Sequence, residues 1–293
     1  MMERMHKVPG VSLSGGVEIP QVGFGSFKIP PAQTQASVEA ALEAGYRHID
    51  TAAAYMNEEG VGDALAATGM AGRAFVTTKL RNFEQGYDSA LRAFEASRRL
   101  LRVDVVDLYL VHWPVPSQDR YVETWRALAR LLDEGAVRAI GVSNFLPEHI
   151  DRIVEETGVV PAVNQLECHP SFSQAALERE MASAGIVLEA YSPLGQGGDL
   201  RADAVVSAAE RLGVSQAQVV LRWHVQRGHV VIPKSTHVER MRENLDLFSF
   251  ELGEEDMRAI DALDRADGRL LGDPATYDKS QSPEDMRARG NLV

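Results

Sequence analysis

The stretch that decides the fold is Gln33-Thr-Gln-Ala-Ser-Val-Glu-Ala-Ala-Leu-Glu-Ala44-Gly45-Tyr-Arg-His-Ile49-Asp50. Residues 33–44 follow a Pro-Pro pair and predict a helix, because Gly45 then stands where helices often end in a left-handed glycine. Residues 46–49 form a short apolar run that predicts a strand. The chain repeats this order of helix, glycine and strand, so the unit predicts a parallel sheet built from βα repeats.

Eight candidate core strands occur along the chain. They are Val22–Phe24, Tyr46–Ile49, Ala74–Thr78, Val105–Val111, Ala139–Val142, Ala162–Leu166, Val187–Ala190 and Val230–Ile232. Helical segments lie between them at 33–44, 87–101, 121–134, 147–157, 174–184, 203–212 and 215–227. Eight βα units in fewer than 300 residues predict an α/β fold of the closed (β/α)8 TIM-barrel type. An open doubly wound sheet is the alternative.

The two ends of the chain differ from the repeats. Residues 11–19 predict an N-terminal β-hairpin turning at Ser14-Gly15-Gly16. The C-terminal tail, residues 267–293, is polar and broken by glycine and proline, so it is either a frayed terminus or a loop near the barrel mouth. No linker divides the chain, and we expect a single domain over residues 1–293.

The composition excludes several classes of protein. Acidic residues outnumber basic ones, 42 to 30, and the net charge of −12 argues against a nucleic-acid or anionic-membrane binder. No apolar stretch is long enough to span a membrane, and Met1–Gly10 lacks the apolar core of a signal peptide. The single cysteine, Cys168, forms no internal disulfide and favours a reducing, cytoplasmic location.

Four polar residues, Asp50, Tyr55, Lys79 and His112, stand at or just past the ends of three successive strands. Each alone has an ordinary explanation as a helix cap, packing residue, surface charge or structural histidine. In a barrel, however, the strand ends converge on one site. A nearby Lys⁺ would lower the high pKa of a tyrosine, and Asp⁻ would hold that lysine charged. Such a set donates a proton to an oxygen, and a cofactor must supply the hydride.

The same residues lie in motifs that resemble the aldo-keto reductases. The run Gly45–Gly62 resembles the family signature, as do Thr78-Lys79-Leu80, Asp107–Pro114, Gly141–Phe145, Asn164-Gln165, Ala190–Gly195 and Val231–Ser235. The matches occur in family order over nearly the whole chain and look closest to the bacterial branch of 2,5-diketo-D-gluconate reductases.

The resemblance implies a (β/α)8 barrel that binds NADPH across its mouth and reduces aldehydes or ketones to alcohols. It implies Tyr55 as the general acid, Lys79 and Asp50 as its partners, and His112 as the residue that orients the substrate carbonyl.

The cofactor residues are expected at the ends of the later strands. Amide and hydroxyl side chains suit the nicotinamide carboxamide, a tyrosine suits its ring, a glycine-rich loop suits the pyrophosphate, and cations at a helix start suit the adenosine 2′-phosphate. The expected carboxamide contacts are Ser143, Asn144 and Gln165, and the expected ring contact is Tyr191. The glycine-rich loop contains Ser192, Leu194 and Gly195, and the helix start contains Lys234, Ser235, Thr236 and Arg240. Asn244 resembles an adenine contact.

The substrate wall is expected to contain Phe27, His112 and Trp113, together with Phe83 and the tail. Aromatic walls suit small carbonyl compounds but identify none of them. Cys168-His169 is the one hint of a metal; without a second cysteine or a ligand motif we predict none.

Two other functions are compatible with these residues. Lys79 or Lys234 at a strand end could be the nucleophile of a Schiff-base aldolase. The barrel could also hold NADPH without catalysis, as a redox sensor for a partner protein. Analogy with the family suggests a monomer.

Overall fold

The computed structural model describes residues 8–282 and residue 284. Its strands are β1 (Gly10–Ser12), β2 (Glu18–Pro20), β3 (Phe24–Gly25), β4 (His48–Asp50), β5 (Phe75–Leu80), β6 (Val106–Val111), β7 (Val137–Ser143), β8 (Val163–Glu167), β9 (Val187–Tyr191) and β10 (Val230–Val231). Its helices are α1 (Pro31–Ala44), α2 (Glu58–Ala67), α3 (Tyr87–Leu101), α4 (Tyr121–Asp133), α5 (Pro147–Thr157), α6 (Ala175–Ser183), α7 (Asp203–Leu212), α8 (Gln216–Gln226), α9 (Val238–Leu245) and α10 (Glu254–Asp261).

The strands β3 to β10 form one parallel sheet in chain order. A parallel bridge between Val22 and Val231 closes it, because the Val231 amide donates to Gln21 (2.9 Å) and the Gly23 amide donates to the Val231 carbonyl (2.8 Å). Sequential strand order with closure is the (β/α)8 barrel, which confirms that prediction and excludes the open doubly wound sheet.

The helix–glycine–strand unit forms as expected. Helix α1 ends at Ala44, and Gly45 follows with φ of 116°, a conformation that costs glycine little. Its amide donates to the Leu42 carbonyl, which helps to cap the helix. Strand β4 begins three residues later, so a single glycine turns the chain from the outer helical layer back into the barrel.

Two helices, α2 and α10, have no counterpart among the predicted helices. Helix α2 carries Gly60 and Gly62, which lower helix propensity and hide the pattern. The structure explains Gly62, because a Cβ there would lie 2.2 Å from the Leu100 carbonyl oxygen. The close packing of α2 against α3 therefore requires glycine at position 62, although glycine has a low helix propensity.

The predicted N-terminal hairpin is present as β1 and β2 and covers one end of the barrel. Its apolar residues Leu13, Val17 and Ile19 pack with the beginnings of the barrel strands, such as Phe75 and Val163. The hairpin therefore closes the amino-terminal end and leaves the carboxyl ends of the strands for the site. Across the described residues, no helix combines the length and apolar character needed to cross a bilayer.

The described part of the C-terminal tail lies over the other end of the barrel, which agrees with the expectation of a loop near the barrel mouth. The amides of Leu270 and Leu271 donate to the Glu167 carboxylate at 2.5 and 2.9 Å. The ring of Tyr277 stacks on Trp113 with centroids 3.9 Å apart. The side-chain amide of Asn82 donates to the backbone of residue 279 at 2.8 Å. The part of the predicted tail at 283 and 285–293 lies outside the described residues.

Candidate active site

The structure brings the four strand-end residues together. The Lys79 ammonium donates to both Asp50 oxygens at 2.7 Å and to the Thr51 carbonyl at 2.8 Å. The Tyr55 ring lies beside this pair, with its centroid 5.2 Å from the Lys79 nitrogen and 5.7 Å from the centroid of the His112 ring. An acid, an amine, a phenol and an imidazole therefore share one end of the barrel.

Lys79 makes no hydrogen bond to the Tyr55 hydroxyl, although its charge lies 5.2 Å from the centroid of the ring. The three acceptors of Lys79 match its three N–H donors, and none of them is the Tyr55 hydroxyl. Burial raises the pKa of Tyr55 well above its usual value, and the carboxylates of Asp50 and Glu189 raise it further. Tyr55 therefore keeps its proton at neutral pH, the form in which a phenol can act as an acid.

His112 is a neutral imidazole. Burial lowers its pKa well below the ordinary range, and the charge of Lys79 acts in the same direction. Its Nδ1 has no hydrogen-bond partner among the described atoms, and its carbonyl accepts a bond from the Asn144 side chain at 3.0 Å. A neutral ring can donate one N–H to a bound oxygen without adding a charge to the site.

Glu189 is a buried carboxyl group that the sequence analysis missed. The Gln165 amide nitrogen donates both to Asp50 (2.8 Å) and to Glu189 (2.9 Å), which joins Glu189 to the Lys79 ion pair. Burial and the charge of Asp50 raise the pKa of Glu189 to about 8. Nearby His48 is also neutral, since burial lowers its pKa to about 3. The signal available in the sequence was an acidic residue in the middle of an apolar strand.

We expect Glu189→Gln to change how stability depends on pH. A carboxyl whose pKa is raised by folding stabilises the protein fully below its unfolded value near 4.5, and this stability is lost as pH rises towards about 8. The glutamine variant has no such loss, so its unfolding free energy relative to wild type should increase by more than about 1.4 kcal/mol between pH 5 and pH 8.5. Urea unfolding at both pH values measures this difference. Exposed Glu239→Gln is the control, and equal differences for both variants would contradict the prediction.

The residues expected at the nicotinamide form one hydrogen-bonded group. The Ser143 hydroxyl donates to the Gln165 carbonyl at 2.8 Å, and the Asn144 amide donates to Ser143 at 3.0 Å. The Tyr191 hydroxyl donates to the Asn144 oxygen at 2.7 Å. Asn144 has a left-handed backbone, with φ of 63°, that places its side chain between these partners. The group is rigid because each member fixes its neighbour.

The loop at Ser192, Leu194 and Gly195 differs from the expectation of free amides. The Gly195 amide donates to the Ser192 carbonyl and the Gly197 amide donates to the Leu194 carbonyl, at 2.9 and 2.8 Å. These two amides take part in a tight turn, and the pyrophosphate contact of Ser192, Leu194 and Gly195 stays a prediction. A Cβ at Gly195 would lie 2.3 Å from an Asp199 oxygen, which explains the glycine by packing.

The segment after β10 places its cations at the start of a helix, as expected. Lys234, Thr236 and Arg240 are exposed, while Ser235 is buried and its Oγ accepts the His237 amide at 3.1 Å. Asn244, the expected adenine contact, is buried beside the Tyr46 hydroxyl, and its contact with the adenine stays a prediction.

Aromatic rings border the site. Phe27 is 38% exposed and its ring lies 4.9 Å from that of Tyr55, between centroids. Trp113 is buried under Tyr277 of the tail. Phe83 lies further out, where it contacts the Arg81 guanidinium and its amide donates to the backbone of residue 280. Phe27, Trp113 and Tyr277 thus form the apolar wall nearest the polar groups, and Tyr277 was found only as part of the tail.

Comparison with known proteins finds relatives that all belong to one family. The model of the aldo/keto reductase family matches residues 21–265. An aldo-keto reductase of Mycobacterium sp. (strain JLS) is 52% identical, covering 92% of this chain and 98% of the relative. A glyoxal reductase of Bacillus subtilis (strain 168) is 47% identical over 87% of this chain and 92% of its own.

Solved structures agree with these matches. A mutant of Gox0644 in complex with NADPH superposes with a TM-score of 0.90 at 49% identity, covering 93% of this chain and 99% of that one. These relatives do not test the narrower 2,5-diketo-D-gluconate reductase branch, which stays a prediction. The family match extends over most of the barrel, and its relatives span nearly the full length of the chain. The protein therefore belongs to the aldo/keto reductase family.

Proposed function

We propose that this protein reduces aldehydes or ketones to alcohols with NADPH, and that Tyr55 donates the proton. The observation that carries the proposal is the convergence of protonated Tyr55, neutral His112 and the Lys79–Asp50 ion pair at one end of the barrel. This end also carries the apolar wall of Phe27 and Trp113, which suits a small carbonyl compound.

The residues present fit the cofactor. Ser143, Asn144 and Gln165 offer the amide and hydroxyl groups that a carboxamide requires, and Lys234 and Arg240 are exposed cations suited to a phosphate. NADPH supplies the hydride that the carbonyl carbon needs. The NADPH complex of a relative at 49% identity supports this choice of cofactor.

The chain's own residues supply the other requirements of the reaction. His112 donates an N–H to the carbonyl oxygen and so orients the substrate. Tyr55 then transfers its phenolic proton to that oxygen as negative charge develops. Lys79 stabilises the resulting phenolate by its charge, while Asp50 keeps the lysine in place. Trp113 and Tyr277 shield the site from water.

A carbonyl-substrate panel tests the proposed function. The purified protein is assayed for NADPH and NADH oxidation with small aldehydes, ketones and dicarbonyls; glyoxal is included because a relative is named a glyoxal reductase. We expect turnover of several carbonyl compounds and a preference for NADPH. Tight NADPH binding without turnover of any compound would replace the proposal with the non-catalytic redox sensor.

The structure disfavours Lys79 as the nucleophile of the aldolase alternative. Lys79 is fully buried, and Asp50 and Thr51 occupy its hydrogen-bond donors. A Schiff-base nucleophile must be a free amine with room for the substrate carbon. Borohydride should therefore trap no substrate on Lys79, as mass spectrometry of the treated protein would show.

We expect Lys234→Ala and Arg240→Ala to weaken NADPH binding selectively. A charge-assisted hydrogen bond to a phosphate contributes about 1.5–3 kcal/mol, so each variant should raise the NADPH Kd by about 10-fold or more. NADH lacks the 2′-phosphate, so its Kd should stay the same. Titration of protein fluorescence measures both constants. Exposed Arg258→Ala on α10 is the control, and equal losses for the two cofactors would refute the phosphate assignment.

We propose a monomer from the resemblance to the family and a cytoplasmic location from the single cysteine, Cys168. Small carbonyl compounds are the partners that the site suggests. Size-exclusion chromatography with light scattering measures the oligomeric state directly.

A further inference from the structure

A second group of reactive side chains lies beside the barrel, apart from the proposed active site. It consists of Cys168 after β8, His224 in α8 and His229 before β10. All three are buried, at 0%, 0% and 2% exposure. The Cys168 sulfur and one nitrogen of each histidine lie within 4.8 Å of one another, and the two Nδ1 atoms are 3.0 Å apart. The sequence hid this group because Cys168 lies far from the two histidines along the chain.

The other ring nitrogen of each histidine lies close to an oxygen atom, as a hydrogen bond for His224 and as an ion-pair contact for His229. His224 Nε2 lies 3.1 Å from the Pro193 carbonyl, and His229 Nε2 lies 3.0 Å from a Glu178 oxygen. A carbonyl or carboxylate on the outer nitrogen is the usual arrangement around a histidine that binds metal, because it fixes the tautomer and the direction of the ring. Both rings therefore present Nδ1 to the same point.

The inner nitrogens of the two rings face each other. The Nδ1 atoms of His224 and His229 lie 3.0 Å apart in a site closed to solvent. Two lone pairs at this distance would repel, so a positive centre, either a shared proton or a metal ion, is needed between them.

We propose that Cys168, His224 and His229 form a binding site for a thiophilic metal ion, with Zn²⁺ as the principal candidate. A tetrahedral zinc site needs ligand nitrogens about 3.4 Å apart, given Zn–N bonds of about 2.1 Å. The two nitrogens at 3.0 Å need only a small adjustment. One thiolate and two imidazoles are a set that zinc prefers over harder cations such as Mg²⁺. One vertex remains for a water molecule.

The charges around the site allow an added cation. Arg227 is the nearby positive group, and Glu178 and Asp261 both pair with it. Binding displaces the thiol proton of Cys168, which otherwise donates to the Ser173 carbonyl at 3.3 Å. It also displaces any proton shared by the imidazoles, so binding should weaken at low pH. No electron transfer is involved.

Cobalt substitution tests the proposal directly. Chelator-treated protein is titrated with Co²⁺, and we expect one equivalent to bind with a thiolate-to-Co²⁺ charge-transfer band in the near ultraviolet. Cys168 is the sole cysteine of the chain, so this band can arise from no other residue. Cys168→Ala should lose it, and the control His237→Ala, at an exposed position, should keep it.

Two measurements keep the test independent of whether the variant folds. On the wild-type chain, Zn²⁺ at about 100-fold its Kd should raise Tm by about 5 °C. It should also protect Cys168 from alkylation in mild denaturant. Absence of both effects and of the Co²⁺ band in folded wild type would mean that a shared proton alone occupies the point, and it would overturn the proposal. So would a band that survives in Cys168→Ala.

Discussion

Tyr55→Phe should lower kcat by at least about 100-fold while NADPH still binds, because general acid catalysis contributes 10²- to 10⁴-fold and phenylalanine removes only the hydroxyl. Burial raises the pKa of Tyr55 and so keeps its proton at neutral pH, and the ring that remains in the variant still fits between Phe27 and His112. The loss should therefore appear in the chemical step and leave the shape of the site intact.

The measurement combines steady-state kinetics with fluorescence titration of NADPH. Trp113 lies in the wall of the site and reports cofactor binding through quenching. Tyr87→Phe on α3 is a matched control that removes a hydroxyl outside the site. A Tyr55→Phe protein that retains kcat within tenfold of wild type would exclude Tyr55 as the acid.

Lys79→Met should cost about 3–5 kcal/mol of unfolding free energy at neutral pH, since removing one partner of a buried ion pair leaves the other charge uncompensated. Asp50 is 1% exposed, and Glu189 is a second carboxyl joined to it through Gln165. Without the ammonium, only the hydrogen bond from Gln165 opposes the increase in the pKa of Asp50 that burial causes. A carboxyl with a raised pKa loses stability as pH rises, so the deficit should be larger at pH 8 than at pH 5.

The double variant Asp50→Asn/Lys79→Met separates charge from packing. It removes both ions, so we expect it to be more stable than Lys79→Met alone, with the difference measured by urea unfolding. Lys234→Met, at an exposed position, is the control for losing a lysine charge. A Lys79→Met protein within about 1 kcal/mol of wild type would show that the pair is not a buried ionic contact.

The barrel was predictable because a short apolar run marks the position of each strand in the sequence. All eight core strands occur where the apolar runs predicted them, although their ends shift, as when Ala74–Thr78 becomes Phe75–Leu80. Asp50, Tyr55, Lys79 and His112 were predictable for a related reason, since a residue at a strand end needs only the strand to be recognised. Helix α2 was not, because close packing at Gly62 overrode its intrinsic preference.

Interactions that depend on the register between distant strands could not be predicted from the sequence. The bond from Gln165 to Asp50 and Glu189 requires β4, β8 and β9 to be placed together. The hydrogen bonds of Lys79, which leave none for Tyr55, and the committed amides at Gly195 depend on geometry of a few tenths of an ångström. The stacking of Tyr277 on Trp113 likewise required the path of the tail.

The closing bridge between Val22 and Val231 has a consequence for synthesis of the protein. Every other pairing in the barrel joins strands that are neighbours in the chain, so a growing polypeptide can form these pairs one after another. The ring itself closes only after the ribosome has made the last strand, and until then two unpaired strand edges are available to other chains. A nascent chain that stalls before Val230 would therefore be a substrate for chaperones, however complete its active site.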